Sequence, residues 1–293
     1  MKILVTGGTG MVGKHLKDIL PDAHYVGSEY DLRDYLETEN LFETYKPTHV
    51  IHLAAKVGGI QDNISRPAEY FDDNILMNTN VLKMSHIHGV DRFIGILSTC
   101  IYPDIVENYP MKEEDLFLGP PTKTSFSYGY AKRCLAVQTD AYNKQYGTKY
   151  NYLIPCNLYS EHDNFEHGQK MHFITALLKK IKDSDKELNL LGTGKPLRQF
   201  MYAGDLARVI KEVIDKDITE NFNVACRENH SIDELAKKTL GALNKNYYIK
   251  YSKPELDGQY RKDVSLEKML KYIPDFEFTK LEDVIEKIYD KIS

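Results

Sequence analysis

Lys2-Ile3-Leu4-Val5-Thr6-Gly7-Gly8-Thr9-Gly10-Met11-Val12-Gly13 decides how this chain folds. Residues 2–6 are apolar and β-rich, and the glycines that follow satisfy both G-x-G-x-x-G and the looser G-x-x-G-x-x-G. Met11, Val12, Leu16, Ile19 and Leu20 then recur at helical spacing until Pro21-Asp22. A strand, a glycine turn and a helix in that order are the context a dinucleotide fingerprint requires. The glycines permit a tight turn, close approach of backbone to a pyrophosphate, and close helix–strand packing. The helix start adds unpaired N–H groups and a dipole that favours phosphate.

The same alternation continues outward from this point. Short strands are predicted at 24–27, 48–55, 93–97 and 150–155, separated by helices near 34–45, 67–88 and up to Tyr146, where Gly147 ends the last. Strands alternating with helices of this length predict an α/β protein, a doubly wound parallel sheet covered on both faces. After Pro155 the pattern loosens. Residues 157–170 are polar and irregular, a helix is predicted near 171–183, strands at 199–202 and 222–225, and a helix from Asp205. The expected division is a dinucleotide-binding domain over 1–163, with parts of 192–228 returning to it. A smaller C-terminal substrate-binding lobe over 164–293 covers the carboxyl edge of the sheet.

The composition excludes several classes. With 293 residues and a net charge of −5, and a pI near 6.1, the chain has no general attraction for nucleic acid or anionic membrane. Cys100, Cys134, Cys156 and Cys226 are far apart, so neither a zinc site nor a redox dithiol is indicated, and no metal is expected. No apolar run approaches membrane-spanning length. The chain runs almost at once into a strand, so the expectation is a reduced, soluble, cytoplasmic protein without a signal peptide.

Two further segments carry chemistry. Ser98-Thr99-Cys100-Ile101-Tyr102-Pro103 follows the apolar run Phe93–Leu97 at the end of the fourth strand. If the strand continues, Ser98 and Cys100 share a face. In Tyr128-Gly129-Tyr130-Ala131-Lys132, Tyr128 and Lys132 lie four apart on one helix face. A tyrosine titrates near ~10 and exchanges its proton poorly at neutral pH, and a nearby cation favours the phenolate. Lys132 can supply that cation and bind the cofactor ribose. Ser98 can donate to a substrate carbonyl, and Tyr128 can protonate the alkoxide that forms as hydride arrives. The plainer readings are a solvent-facing Y-x-x-x-K turn and a core cysteine. For the cofactor, Gly27-Ser28 stands where an acidic residue would select NAD, with Glu29 and Asp31 just beyond and Arg33 close by, which leans toward NADP. Asp31-Leu32 can instead lie beside the adenine.

On these residues the chain resembles the extended short-chain dehydrogenase/reductase family, and within it the GDP-L-fucose synthases. The segments Ala54–Ile60, Ser98–Pro103, Asn157-Leu158-Tyr159, Asp163-Asn164-Phe165, Met171–Leu178 and Arg198-Gln199-Phe200 all resemble that subfamily's motifs. The likeness covers residues 1 to about 210, and Gly258–Asp263 resembles a substrate-loop motif.

The resemblance implies a Rossmann sheet and an NADPH-dependent reduction, at C4, of a GDP-linked 4-keto-6-deoxy sugar after inversion at C3 and C5. By position, Ser98, Tyr128 and Lys132 match the reductase triad. Cys100 matches the epimerase base and His172 its acid partner. The implied cofactor contacts are Gly7, Gly10, Met11, Val12, Gly13, Asp31, Leu53, Ala54, Ala55, Tyr128 and Lys132. Asn157, Arg198 and Lys180 (or Lys179) match positions contacting substrate. A homodimer through the helices near 67–88 and 128–146 is implied as well.

Three departures fall near the sugar pocket: Ser160-Glu161-His162 where the subfamily has Gly, Ala203-Gly204-Asp205 for paired acidic residues, and an altered loop over Pro121–Ser127. They leave hexose and heptose substrates both open. A nucleotide-sugar 4-epimerase or dehydratase and an NADP(H)-sensing binding protein are the alternatives. His52, His86 and His88, and the cysteines other than Cys100, read as structural. Asn74 reads as a helix residue bonding a backbone carbonyl near the site.

Overall fold

The computed structural model of the chain describes residues 1–163, 165 and 171–292. Strands β1 (Ile3–Thr6), β2 (His24–Val26), β3 (His49–His52), β4 (Arg92–Ile96) and β5 (Lys149–Pro155) alternate with helices α1 (Met11–Ile19), α2 (Tyr35–Tyr45), α3 (Ile60–Ser65), α4 (Pro67–Ile87) and α5 (Phe126–Tyr146). Then come β6 (Asn157–Tyr159), α6 (Phe173–Asp183), β7 (Glu187–Leu191), β8 (Leu197–Arg198), β9 (Phe200–Tyr202), α7 (Ala203–Asp215) and β10 (Phe222–Val224). The remainder forms β11 (His230–Ser231), α8 (Ile232–Ala242), β12 (Tyr248–Ser252), β13 (Arg261–Lys262), α9 (Glu267–Tyr272) and α10 (Leu281–Lys291).

Six strands form one parallel sheet in the order β2-β1-β3-β4-β5-β10. Its strands are near-continuous apolar runs because helices cover both faces, and Leu4, Val5, Ile51, Phe93, Leu153 and Phe222 are all fully buried. Chain order reverses at β1, which has β2 on one side and β3 on the other. A crevice opens at such a switch point beyond the carboxyl ends of the strands. A second apolar core, including Leu178, Ile181, Leu188, Leu240 and Ile285, is built by α6, β7, α8 and α10.

Local signals explain the ends of the key helices. Asp34 caps α2 by accepting from the Glu37 N–H at 2.9 Å. Gly147 ends α5 at φ 67°, in the left-handed region a helix C-cap favours. α4 and α5 pack side by side. Asn78 on α4 joins His52 of β3 (3.0 Å) to the Ala131 carbonyl of α5 (3.3 Å), so α5 is tied to the sheet.

The segment after β4 differs from expectation. The last sheet bond there runs from the Leu97 N–H to the Leu153 carbonyl at 2.9 Å, and Thr99–Ile101 is a 3-10 turn capped by Ser98. The Ser98 hydroxyl accepts from the Cys100 N–H at 3.3 Å, and such local bonding competes with continuation of a strand. Ser98 and Cys100 are therefore brought together by a turn, not by strand alternation.

Residues 259–265 run back over this turn. Gln259 donates to the Pro103 and Asp104 carbonyls at 3.1 and 3.0 Å. The Met111 N–H reaches the Asp263 carbonyl at 2.9 Å, and the Ser265 N–H reaches the Met111 carbonyl at 2.7 Å.

Candidate active site

A cavity of about 960 Å³ lies between the sheet's carboxyl edge and the C-terminal segments. The glycine turn forms one end. Gly7 has φ +70°, and a Cβ there would stand 2.6 Å from the Ala54 backbone nitrogen, so a side chain would separate β1 from β3. Gly10 caps α1 with no side chain blocking the helix start, which leaves first-turn N–H groups for an anion. Gly7, Gly10, Met11, Val12, Gly13, Asp31, Leu53, Ala54 and Ala55 all line this cavity, as do Ser28 and Arg33. This cradle fits the pyrophosphate of a dinucleotide. Arg33 pairs with Asp31 at 2.7 Å and with Asp73 at 3.0 Å, and the Arg33 hydrogen bond holds the Asp31 carboxyl below its usual range.

Ser98, Cys100, Tyr128, Lys132 and His172 line the same cavity. Burial, then the neighbouring Cys100, push the Tyr128 phenol well above its ordinary value, while a hydrogen bond with Ser98 opposes them. Tyr128 therefore holds its proton throughout the neutral range. Lys132 is 1% exposed, and its ammonium donates to the Ile96 carbonyl at 2.8 Å. Burial lowers its pKa to about 8. Here Lys132 is anchored to the end of β4 and not to the phenol, which differs from the expectation that it lowers Tyr128.

Burial alone would raise the Cys100 thiol. The charge of Lys262, with the nearby donors Ser98, Lys262 and Ser125, outweighs burial and leaves it below the ordinary value. Lys262 Nζ donates to Cys100 Sγ at 3.4 Å. Sequence reasoning did not single out Lys262, although it falls within the Gly258–Asp263 segment noted as a substrate-loop likeness. His172 occupies the N-cap position of α6, with Nδ1 3.0 Å from Asp163. Burial pulls the imidazole down, but the hydrogen bond and charge of Asp163 prevail and raise it. Asn164, beside this aspartate in the motif, lies outside the described residues.

Of the residues expected at the substrate, Asn157 and Arg198 line the cavity. Asn157 donates to the Gln199 carbonyl at 3.0 Å, and Arg198 to the Leu197 carbonyl at 2.8 Å. Lys180 is not brought there. Phe173 and Ala176 face the cavity from α6, while the Lys180 ammonium, a turn later, bonds the Asn189 carbonyl beside it in β7. Lys179, the alternative at that position, pairs with Asp183 at 3.5 Å. Asn74 bridges the Lys56 N–H and carbonyl at 3.0 and 3.1 Å, which fixes the loop after β3. His52 is buried, bonded to Thr6 at 2.7 Å, and driven down to about 3 by burial.

Among the described residues, His15, Glu161 and His162 form the one group whose ligand atoms all approach within 4.8 Å. Two of the three are already engaged: His15 bonds Ser160 at 2.8 Å, and Glu161 accepts from Tyr202 at 2.9 Å and from Lys287. The group is a polar joint between α1, the loop after β6 and α10. No helix among the described residues is long and apolar enough to cross a membrane.

Residues 3–225 match the NAD dependent epimerase/dehydratase family. The chain is 36% identical over 304 residues to a probable GDP-L-fucose synthase of Drosophila melanogaster, covering 97% of this chain and 94% of that one. It is 36% identical over 299 residues to a GDP-L-fucose synthase of Dictyostelium discoideum, covering 97% and 93%. The structure of a GDP-L-fucose synthetase from Naegleria fowleri bound to NADP matches with a TM-score of 0.87 at 33% identity, covering 99% of this chain and 92% of that chain.

Proposed function

Because the chain belongs to the NAD dependent epimerase/dehydratase family, we propose that it reduces the C4 ketone of a GDP-linked 4-keto-6-deoxy sugar with NADPH. The observation that carries this reading is the convergence of Ser98, Tyr128 and Lys132 with the glycine cradle in one cavity. NADPH, when bound, supplies the hydride. Gly7, Gly10 and the start of α1 would hold its pyrophosphate, Lys132 its ribose, and Arg33 with Ser28 a 2′-phosphate. Residues 1–163 provide most of this cradle, and residues 164–293 contribute Arg198, His172 and the segment of Lys262.

Ser98 donates a hydrogen bond to the C4 oxygen, and Tyr128 gives that oxygen its proton as the alkoxide forms. Burial that keeps Tyr128 protonated suits it to this donor role. The same oxygen, held by Ser98 and Tyr128, stabilises an enolate when a proton leaves C3 or C5. Cys100 takes that proton and His172 returns one, which adds epimerisation to reduction. Arg198 and Asn157, which line the same cavity, would contact the substrate or its nucleotide phosphates.

Relatives named GDP-L-fucose synthase at 36% identity favour a hexose. We also propose a homodimer through α4 and α5, where Leu76 (46% exposed) and Val137 (53%) leave apolar surface open. A reducing, cytoplasmic setting accords with four free cysteines. The test is NADPH consumption with GDP-4-keto-6-deoxy-hexose and GDP-4-keto-6-deoxy-heptose, with the products identified by NMR. Oxidation of NADPH with either sugar, giving the C4 alcohol, is expected; consumption with neither overturns the reading.

A further inference from the structure

Lys262 is only 7% exposed, and a buried ammonium is costly unless a counter-charge meets it. Among the described residues it makes no ion pair with a carboxylate, and its hydrogen-bond partner is Cys100 Sγ at 3.4 Å. The adjacent carboxylate is committed elsewhere, since Asp263 pairs with Arg261 at 2.9 Å. Arg198 stands in register opposite Lys262 on β8, and its charge also bears on Cys100. The charged and titratable groups facing the thiol are thus Lys262 on β13, Arg198 on β8 and Tyr128 on α5, two cations and a protonated phenol.

The arrangement is held in place by backbone. Gln259 grips the Pro103 and Asp104 carbonyls, and residues 263 and 265 bond both polar groups of the Met111 backbone. This stitches the Lys262 segment onto the turn that carries Cys100. Ser125 Oγ is buried without a well-formed hydrogen bond and lies near enough to favour the thiolate.

We propose that Lys262 holds Cys100 as a thiolate before substrate arrives, making this lysine the positioning residue that readies the epimerase base. The proposal rests on the reading of the cavity as a keto-sugar site. The thiol proton passes to water when the ion pair forms. The sulfur lone pair then takes the proton from the carbon beside the ketone: an S–H bond forms, the C–H bond breaks, and its electrons become the enolate. A proton from His172 re-forms the C–H bond; water then takes the proton carried by the Cys100 thiol and restores the one His172 gave.

The test reads the sulfur directly, without sugar. Iodoacetamide alkylation of the full-length protein is followed across pH by the mass of the Cys100 peptide, which separates it from Cys134, Cys156 and Cys226. At pH ~7 the native protein should alkylate at least about tenfold faster than Lys262→Met, as expected when the thiolate fraction controls the rate. Lys262→Arg should keep most of the native rate. A second measurement leaves Lys262 intact: the native protein minus Cys100→Ser should show thiolate ultraviolet absorbance at neutral pH. Equal alkylation of native and Lys262→Met protein, or no thiolate absorbance, overturns the proposal. Neither readout depends on turnover, so inactivity toward every keto sugar would overturn the proposed function and leave the thiolate result to stand by itself.

Discussion

The Lys132 ammonium donates to the Ile96 carbonyl at 2.8 Å inside a site that leaves this lysine 1% exposed. A backbone carbonyl offsets only part of the cost of burying a cation. The side chain proposed above to hold the cofactor ribose is therefore a weak point in the fold. Replacing Lys132 by Met should raise the thermal midpoint by several degrees at neutral pH while removing most NADPH turnover.

The pH dependence of that effect has a definite sign. The folded pKa of Lys132 is lowered to about 8, below the unfolded value near ~10.4. Between these values the unfolded chain binds more protons, so stability rises with pH. The penalty, on the order of 3 kcal/mol, is full below pH ~8 and gone above ~10.4. Denaturant melts across this window should show the advantage of Lys132→Met shrinking as pH rises.

Asp163 is the group that raises the His172 pKa, by a hydrogen bond and by charge that together outweigh burial. A proton donor must carry its proton, so the raised pKa extends function to higher pH. In Asp163→Asn the alkaline limb of solvent-deuterium incorporation at C3 and C5 should move to lower pH. An unmoved limb would assign the returning proton to another group.

Glu161 is nearly buried and bound by Lys287, Tyr202 and the His15 charge. Burial would raise its carboxyl, but these partners dominate and bring it down to about 2. Its stabilising charge is present above the unfolded value near ~4.3 and lost as pH falls toward about 2. Glu161→Ala should cost about 2–3 kcal/mol at neutral pH, in the range for stranding buried polar partners. Chemical denaturation should show the gap closing in acid.

Arg33, which lines the cavity, pairs with Asp31 and Asp73. A bound 2′-phosphate gives its guanidinium a bidentate partner, so Arg33→Ala should raise KM for NADPH about tenfold and change KM for NADH little. Steady-state kinetics with both cofactors decides this.

Features contained within a few consecutive residues were legible in the chain. The glycine turn after β1 and the Tyr128/Lys132 helix each carry their geometry in local spacing. The strand reading of Ser98–Cys100 failed on a local point as well: the Ser98 hydroxyl captures the Cys100 N–H and turns the chain. Lys262 was hidden for another reason. It lies 162 residues from Cys100 in sequence, and only tertiary hydrogen bonds of residues 259–265 bring it to the sulfur. The joint of His15, Glu161 and Lys287 was equally out of reach, because it spans α1, a loop and α10. Helical spacing alone could not place Lys180, whose side chain follows the neighbouring β7 edge.

Reduction at C4 is tested most directly by mixing the protein with NADPH and a GDP-4-keto-6-deoxy-hexose, then following the loss of nicotinamide absorbance for the native chain and Tyr128→Phe. Rapid oxidation by the native protein, slowed at least about 100-fold in the variant, is the predicted result. Equal rates for the two proteins, or no oxidation by the native one, would contradict it.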